Sequence, residues 1–370
     1  MTIKEGDTVI SVGKTEKISK QMEVFYNPVM KLNRSISVLV VKSFFGRKIR
    51  IADILAGSGI RSIRFLKEAG ENIESIDIND SSERAVKNIK NNLRLNKINI
   101  KSKKIKINIS NKEANKFLLA GEGFDYIEID PFGSPNPFLD SAIKRISRNG
   151  ILAVTATDTA ALTGTYENAC KRKYWAKPMR NYLMHEIGIR ILIRKIQLIG
   201  AQYEKALIPV LSYSKEHYYR ISFKCEKGKQ KCDEILKEHK FLGYCKDCQN
   251  IETFTIEKFR NKCDNCSGNL TIAGPVWTGQ LGDYKLAKKM LQYADQESSG
   301  LLEILKEEYK IPSVGFFSLD KMCKLKRKKQ CPKVKDVLEK LRKNKIPASR
   351  THFGGEYIKV EDLELLKTVF

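Results

Sequence analysis

The chain has 370 residues, 42% of them apolar, and its 68 Lys+Arg against 43 Asp+Glu leave a formal net charge of +25. The length exceeds one typical core, so a large domain with one or two smaller modules is expected. The charge favours a polyanionic partner, nucleic acid first. A polar N-terminus and the lack of a run of about eighteen apolar residues argue against secretion and membrane spanning, so we expect a cytoplasmic protein.

Apolar runs alternate with helical patterns from residue 48 onward. The predicted elements are strand 49–55, helix 60–68, strand 73–78, helix 83–95, strand 104–109, helix 114–119, strand 126–129, helix 137–146 and strand 151–155. This β-α-β-α order predicts an α/β fold with a mostly parallel, doubly wound sheet. After a predicted helix at 181–198, strands at 206–212 and 219–224 predict a terminal antiparallel hairpin. Methyltransferases that use S-adenosylmethionine close their Rossmann-like sheet in this way.

The composition becomes polar around residues 225–235, which marks a domain boundary. A cysteine module follows at 240–275. Short helices, a strand-like stretch at 348–360 and a helix at 361–369 make 281–370 winged-helix-like. We therefore expect a methyltransferase domain at 1–230 and a smaller C-terminal α+β domain at 231–370.

A glycine-containing turn joins the first predicted strand to its helix, in Asp53-Ile54-Leu55-Ala56-Gly57-Ser58-Gly59-Ile60-Arg61. Small residues let the backbone approach a ligand, and the following helix N-terminus favours a carboxylate or phosphate. A plain tight turn would look the same. Asp80 follows the second strand, where an acid can bind both ribose hydroxyls of an adenosine. Asp77 is a competing candidate, and either could be an exposed loop acid.

The fourth strand ends in Asp130-Pro131-Phe132-Gly133-Ser134-Pro135 after a buried run. Such a tip lies outside the carboxyl end of a parallel strand, where open α/β sheets place their ligands. Methyl transfer to an exocyclic amine requires acceptors that hold the NH₂ protons and free the nitrogen lone pair. Asp130 can accept, and Phe132 offers a stacking face. An Asp-Pro turn alone is the simpler alternative.

Nine cysteines include two Cys-x-x-Cys pairs, Cys245/Cys248 and Cys263/Cys266. Four thiolates in two tight turns suit tetrahedral zinc, and four protein ligands make the site structural. Two disulfides are the alternative, which a reducing compartment disfavours. The other five, which show no such spacing, are expected to be packing residues or surface thiols: Cys170, Cys225, Cys232, Cys323 and Cys331.

Several motifs together resemble the archaeal and eukaryotic tRNA (guanine-26-N2) dimethyltransferase family. They are Phe25-Tyr26-Asn27-Pro28, Leu32-Asn33-Arg34, Ser58-Gly59-Ile60-Arg61, Asn79-Asp80, the Asp130–Pro135 tip, Val154-Thr155-Ala156-Thr157-Asp158 and Arg350-Thr351-His352-Phe353. The resemblance spans nearly the whole chain. It implies two successive methyl transfers from S-adenosylmethionine to the exocyclic N2 amine of guanine 26 in tRNA, giving N2,N2-dimethylguanosine.

The resemblance also implies roles for individual residues. Asp130 matches the catalytic carboxylate, and Phe25 and Phe132 would sandwich the flipped guanine. The positions that match cofactor-binding residues are Arg34, Arg61, Asp80, Glu113 and Ala114. The family usually has an Asp-Ala pair where this chain has Glu113-Ala114, so the glutamate would reach the adenine amino group with a longer side chain.

Basic runs at 81–116, 171–180 and 321–345 predict phosphate contacts to tRNA. The run at 321–345 makes 231–370 a candidate RNA-binding domain, although each of the three runs could be a solvated surface. No protein partner is implied. Two alternative functions remain open: a DNA amino-methyltransferase with a related Asp-Pro tip, and a non-catalytic zinc-containing RNA-binding protein.

Overall fold

The computed structural model describes residues 2–12, 26–328 and 330–369. Its strands are β1 (Thr2–Glu5), β2 (Thr8–Ser11), β3 (Ile49–Asp53), β4 (Ile73–Asn79), β5 (Lys106–Ser110), β6 (Phe124–Ile129), β7 (Ile146–Ala156), β8 (Lys205–Lys215), β9 (Tyr218–Lys227), β10 (His239–Cys245), β11 (Ile251–Phe254), β12 (Leu270–Trp277), β13 (Phe317–Ser318), β14 (Ala348–Thr351) and β15 (Gly354–Val360).

The α-helices connect and flank these strands. They are α1 (Lys31–Phe44), α2 (Ile60–Glu68), α3 (Glu83–Leu95), α4 (Ala114–Ala120), α5 (Asn136–Arg145), α6 (Thr159–Leu162), α7 (Glu167–Tyr174), α8 (Met184–Ala201), α9 (Lys229–Lys237), α10 (Tyr284–Met290), α11 (Gln296–Glu308), α12 (Leu319–Leu325), α13 (Val334–Lys343) and α14 (Leu363–Lys367). No helix in the described ranges is long and apolar enough to cross a membrane.

A seven-stranded sheet has the order β5-β4-β3-β6-β7-β9-β8. The strands from β3 to β7 pair in parallel, with Ala52 opposite both Asp77 and Ile127. The chain runs outward from β3 to β5 and then returns to the other side of β3 with β6. This reversal is a topological switch point, where open α/β sheets bind ligands beyond the carboxyl ends of the strands.

The sheet ends in the predicted hairpin. Because only Glu216 and His217 separate β8 from its neighbour β9, the two strands run antiparallel. Glu216 takes the left-handed backbone conformation, with φ 48°, that such a short turn requires. The predicted fold class, a doubly wound α/β sheet with a terminal antiparallel hairpin, is therefore confirmed.

The chain divides into two compact units. The first comprises residues 1–157, 222–227 and 289–298, and the second comprises 158–221, 228–288 and 299–370. Within the second unit, one three-stranded sheet has the order β11-β10-β12, and another has the order β13-β15-β14. The second sheet packs with α12, α13 and α14 around a core that includes Phe317, Leu341 and Ile358.

Two expectations for the C-terminal region differ from the structure. The strand-like stretch at 348–360 is a hairpin, because the chain reverses at His352 and Phe353 between β14 and β15. Cys323 and Cys331, expected to be separate thiols, form a disulfide. The two cysteines are 8 residues apart, with Cys323 in α12 and Cys331 beyond the basic residues that follow this helix. This spacing is not typical of a metal site, so it did not indicate that the two side chains meet.

Candidate active site and metal centre

Two carboxylates lie at the switch point of the sheet. Asp53 ends β3, and Asp130 directly follows β6. Beyond β3 the chain turns through Gly57 and Gly59, whose φ angles are 54° and 77°. A Cβ at Gly59 would lie 3.0 Å from Cγ1 of Ile89 in an unfavourable conformation. Glycine is therefore needed at position 59, both for its positive φ and because Ile89 packs against its backbone.

Asp80 is tied to this glycine turn. Its carboxylate accepts hydrogen bonds from the backbone N–H of Gly57 at 2.8 Å and of Ser82 at 2.9 Å. Asp77, the alternative candidate for the ribose, lies within β4 and accepts from Asn108 Nδ2 at 3.0 Å. Of the two acids, Asp80 is the one beside the turn that would approach a cofactor.

Arg61, in the first turn of α2, joins several groups at the tip of β6. Its Nη1 donates to Asn33 Oδ1 at 2.8 Å and to Ser37 Oγ at 2.7 Å, and lies 3.5 Å from Glu128 Oε1. Its Nη2 donates to Asp130 Oδ2. Arg61 is 5% exposed, so this ion pair is shielded from water and orients the Asp130 carboxylate.

Three carboxylates surround the single Arg61 guanidinium. Glu128 is fully buried and accepts from the Tyr126 hydroxyl at 2.7 Å. Burial raises the pKa of Asp53 to about 7, with a smaller contribution from the negative charges of Glu128 and Asp130. The Arg61 charge and the hydrogen bond from the Ser62 hydroxyl act in the opposite direction. A protonated Asp53 reduces the negative charge beside Glu128 and Asp130.

The aromatic tip after Asp130 is held by the Thr-Ala-Thr-Asp segment. The N–H of Gly133, at φ 81°, donates to Thr157 Oγ1 at 2.6 Å, and the Thr157 N–H donates to the Gly133 carbonyl at 2.9 Å. Phe132 is 41% exposed between these tethered residues. A large apolar ring exposed to this extent presents surface on which a base could stack. Phe25, its predicted partner, lies outside the described residues.

Arg34 pairs with Glu5 of the N-terminal hairpin. Its Nε lies 2.8 Å from Glu5 Oε1 and its Nη2 lies 2.5 Å from Glu5 Oε2. Arg64 also donates to Glu5, at 2.9 Å. This buried cluster anchors β1 against α1 and α2, and the predicted cofactor role of Arg34 stays a prediction.

Glu113 caps helix α4. Its carboxylate accepts from the backbone N–H of Asn115 at 3.0 Å and of Lys116 at 2.9 Å, and these bonds lower the pKa of Glu113. Ala114, the first residue of the helix, is buried. The predicted contact of Glu113 with an adenine amino group would have to share a carboxylate that already serves as a helix cap.

Sequence reasoning gave no role to four polar residues of this site: Asn33 and Asp53, which lie in motifs quoted above, and Ser37 and Glu128. Glu128 precedes Asp130 by two residues, a spacing that places alternate strand side chains on one face. The strand carries two acids, Asp125 and Glu128, among apolar and aromatic residues, and such charges are a usable signal for buried partners. Asn33 and Ser37 lie four residues apart on α1, for which we predicted no helix.

The four predicted metal ligands come together in the second unit. The Sγ atoms of Cys245, Cys248, Cys263 and Cys266 all lie within 4.8 Å of one another. Each pair forms the same turn, since Gln249 N–H donates to the Cys245 carbonyl and Ser267 N–H to the Cys263 carbonyl. Tetrahedral zinc with bonds of about 2.3 Å places its sulfurs at comparable separations, so this group could hold a structural zinc ion.

The family comparison agrees with this geometry. The model of the family described as N2,N2-dimethylguanosine tRNA methyltransferase matches residues 6–367. A tRNA (guanine(26)-N(2))-dimethyltransferase from Methanobrevibacter smithii is 40% identical over 97% of this chain and 93% of its own length. A tRNA (guanine(26)-N(2)/guanine(27)-N(2))-dimethyltransferase from Aquifex aeolicus is 38% identical over 96% of this chain and 91% of its own length.

A solved structure matches over the whole chain. It is the complex of Trm1 from Pyrococcus horikoshii with S-adenosyl-L-methionine, and it has a TM-score of 0.87 and 32% sequence identity to this chain. The match covers 100% of this chain and 99% of that one. The predicted resemblance is confirmed, and the chain belongs to the N2,N2-dimethylguanosine tRNA methyltransferase family.

Proposed function

We propose that this chain transfers methyl groups from S-adenosylmethionine to the exocyclic N2 amine of guanine 26 in tRNA, giving N2,N2-dimethylguanosine. The observation that carries the proposal is Asp130, which stands at the switch point in an ion pair with Arg61 and beside the exposed Phe132. An acceptor next to a stacking face suits an exocyclic amine on a flipped base.

The glycine turn and Asp80 are the groups that would hold the cofactor. Gly57 and Gly59 present backbone without side chains, and Asp80 lies at the end of β4 beside them. Arg61 supports the same region from α2, and we keep Arg34, Glu113 and Ala114 as proposed contacts. When bound, S-adenosylmethionine supplies an electrophilic methyl group on sulfur.

Asp130 would orient the amine and receive its proton. As acceptor of an N–H bond, the carboxylate turns the nitrogen lone pair out of conjugation with the ring and toward the methyl donor. An N–C bond forms as the S–C bond breaks, and the proton released from nitrogen passes to Asp130. Phe132 would stack on the guanine, and the predicted partner Phe25 would cover its other face.

We also propose the division of labour expected from the sequence. Residues 1–230 would carry out methyl transfer, and residues 231–370, including the winged-helix-like region 281–370, would contribute to tRNA binding. The cysteine module within 240–275 would hold zinc for structural reasons only, because four protein ligands leave no open coordination position.

Nucleoside mass analysis tests the proposal. We would incubate the purified chain with S-adenosylmethionine and unmodified tRNA, and expect mono- and then dimethylguanosine that map to position 26. A guanine-27-to-adenine tRNA reports whether the neighbouring base is also modified. Methylation of duplex DNA instead of tRNA would support the DNA amino-methyltransferase alternative, and binding of tRNA without any methylation would support the non-catalytic one.

A further inference from the structure

Trp175 presents its indole on the surface of the second unit. The chain has two tryptophans. Trp277 is 7% exposed, whereas Trp175 is 50% exposed. Tryptophan is highly buried on average in folded proteins, so a half-exposed indole calls for a physical explanation.

The backbone of Trp175 takes an unfavourable conformation. Its φ of 56° lies in the left-handed region, which bulky side chains rarely adopt. The residue ends α7, where its N–H donates to the Lys171 carbonyl at 3.1 Å. Its own carbonyl accepts from Arg194 Nη1 at 3.3 Å. These bonds hold the backbone of Trp175, from which the indole projects.

One face of the indole is covered by a cation. Lys195 Nζ lies 2.8 Å from the centroid of the ring, and Lys195 itself is buried. Burial, with the nearby Arg194 charge, lowers the pKa of Lys195 to about 8. Because this face is covered, the exposed half of Trp175 consists of the opposite face and the ring edge, and it is held rigid before any ligand binds. Rigid presentation reduces the entropy lost on binding.

The rest of α7 adds cations and a second aromatic ring. Tyr166 precedes the helix and is 64% exposed. It borders, with Arg172, a surface pocket of about 800 Å³. Residues 165–180 contain five basic side chains against a single acid: Lys171, Arg172, Lys173, Lys177 and Arg180. Exposed aromatic rings among cations are typical of surfaces that bind unpaired nucleotides.

We propose that α7 with its flanking aromatics is a binding surface for an unpaired nucleotide of the tRNA. Trp175 would stack on the base, and Arg172 with its neighbouring cations would contact the phosphates. The proposal rests on the proposed function only for the identity of the RNA. The charge argues for a polyanion and the rigid indole argues for a base, a combination that an anionic lipid surface does not offer.

Intrinsic fluorescence tests the stacking contact. In Trp277→Phe the only remaining tryptophan is Trp175, so its emission can be followed alone during a titration with unmodified tRNA. We expect saturable quenching in this variant and no tRNA-dependent change in Trp175→Phe, which retains Trp277. Trp175→Ala should weaken tRNA binding roughly 5- to 150-fold, the range that corresponds to loss of one base–aromatic stack. Trp175→Phe should restore part of this loss.

The outcomes separate this inference from the proposed function. Normal methylation of tRNA with unquenched Trp175 emission and unchanged affinity in Trp175→Ala would overturn the inference alone. Absence of both tRNA binding and methylation in the unmodified protein would overturn both. Quenching by phosphatidylserine vesicles in place of tRNA would also reject the nucleotide-binding surface. Thermal melting of each variant checks that the fold is retained.

Discussion

At the scale of single residues, Arg61 is the group on which the site depends. It donates to side chains from α1 and pairs with two acids at the tip of β6. A lysine could not reproduce these contacts, because a guanidinium presents five N–H donors in a fixed plane. Removal of Arg61 would also take a buried cation away from the fully buried Glu128, which is costly.

Replacement of Asp130 should affect methyl transfer more than cofactor binding. If Asp130 orients the amine, Asp130→Asn should lower the single-turnover rate about 10²- to 10⁴-fold, the usual size of an acid–base contribution. The dissociation constant of S-adenosylmethionine, measured by calorimetry, should change only a few-fold. Glu122→Ala, which removes the exposed acid just before β6, is the control. Near-normal turnover in Asp130→Asn would remove Asp130 from the mechanism.

Asp53 should make the fold less stable as the pH rises. Its pKa of about 7 in the folded chain exceeds the ordinary value of 3.8. Its contribution to the free energy of unfolding is therefore complete below pH 3.8, falls as the pH rises, and is lost once the pH passes 7. Asparagine does not titrate, so the Asp53→Asn variant should not show this pH-dependent loss of stability. The stability of the variant relative to the parent should therefore increase between pH 5 and pH 8, by about 2–3 kcal/mol.

Thermal melting at several pH values measures this difference. The control is Asp125→Asn. Burial alone would raise the pKa of Asp125, but hydrogen bonds from Arg47 and from the Arg50 backbone lower it below its ordinary value. Asp125 is therefore ionised in both the folded and unfolded chain above about pH 5, and its contribution to stability is constant there. A stability difference for Asp53→Asn that does not change with pH would show that Asp53 is ionised throughout this range.

At the scale of elements, local sequence patterns predicted the bounds of helices well. Features that depend on pairing between distant residues were not predicted. Helices 60–68 and 83–95 have the predicted bounds, because apolar periodicity and the Ser82 cap are local signals. Strand β7 begins at Ile146 instead of the predicted 151, because Ile146 pairs with Phe124 before a register shift over residues 147–150, and pairing resumes at Ile151. The sequence of α1 shows no amphipathic pattern, because nearly every face of this helix is buried.

The site was predictable to the same extent. Acids at strand ends and cysteine pairs are visible in the sequence, so Asp80, Asp130 and the metal centre could be named beforehand. The pairing of Arg61 with Asp130 joins residues 69 positions apart, and the contacts of Asn33 and Ser37 need a helix that showed no pattern. Such contacts depend on tertiary packing and cannot be inferred from spacing.

The cysteine module should lose zinc and stability together. Protein purified under reducing conditions should contain about one zinc per chain, and Cys245→Ser should release it and lower the melting temperature, because binding energy at such a site contributes to folding. Cys225→Ser, a buried cysteine outside the module, is the control and should retain the metal. Metal analysis by mass spectrometry that finds no zinc in the parent protein would contradict the assignment.

At the scale of the whole molecule, positive charge is concentrated on particular surfaces. Helix α3 exposes basic side chains at positions 84, 87, 90 and 94, and successive spacings of three or four residues make them neighbours on the helix surface. The loop after α12 exposes Lys326, Arg327 and Lys328, and the Cys323–Cys331 disulfide closes it. Phosphate contacts from such surfaces hold a folded RNA without reading its sequence.

Neutralisation of the loop after α12 should weaken tRNA binding mainly at low salt. Each phosphate contact releases counterions, so the slope of log affinity against log salt should become shallower by up to roughly 3 when Lys326, Arg327 and Lys328 are replaced by alanine. S-adenosylmethionine binding should not change, since the loop lies outside the first unit. The matched control removes the same charge from exposed lysines outside the basic runs, Lys48, Lys215 and Lys229. Filter binding over a range of salt concentrations measures both slopes. Equal slopes for the two triple variants would mean that the loop contributes only to the general positive field and not to a phosphate contact.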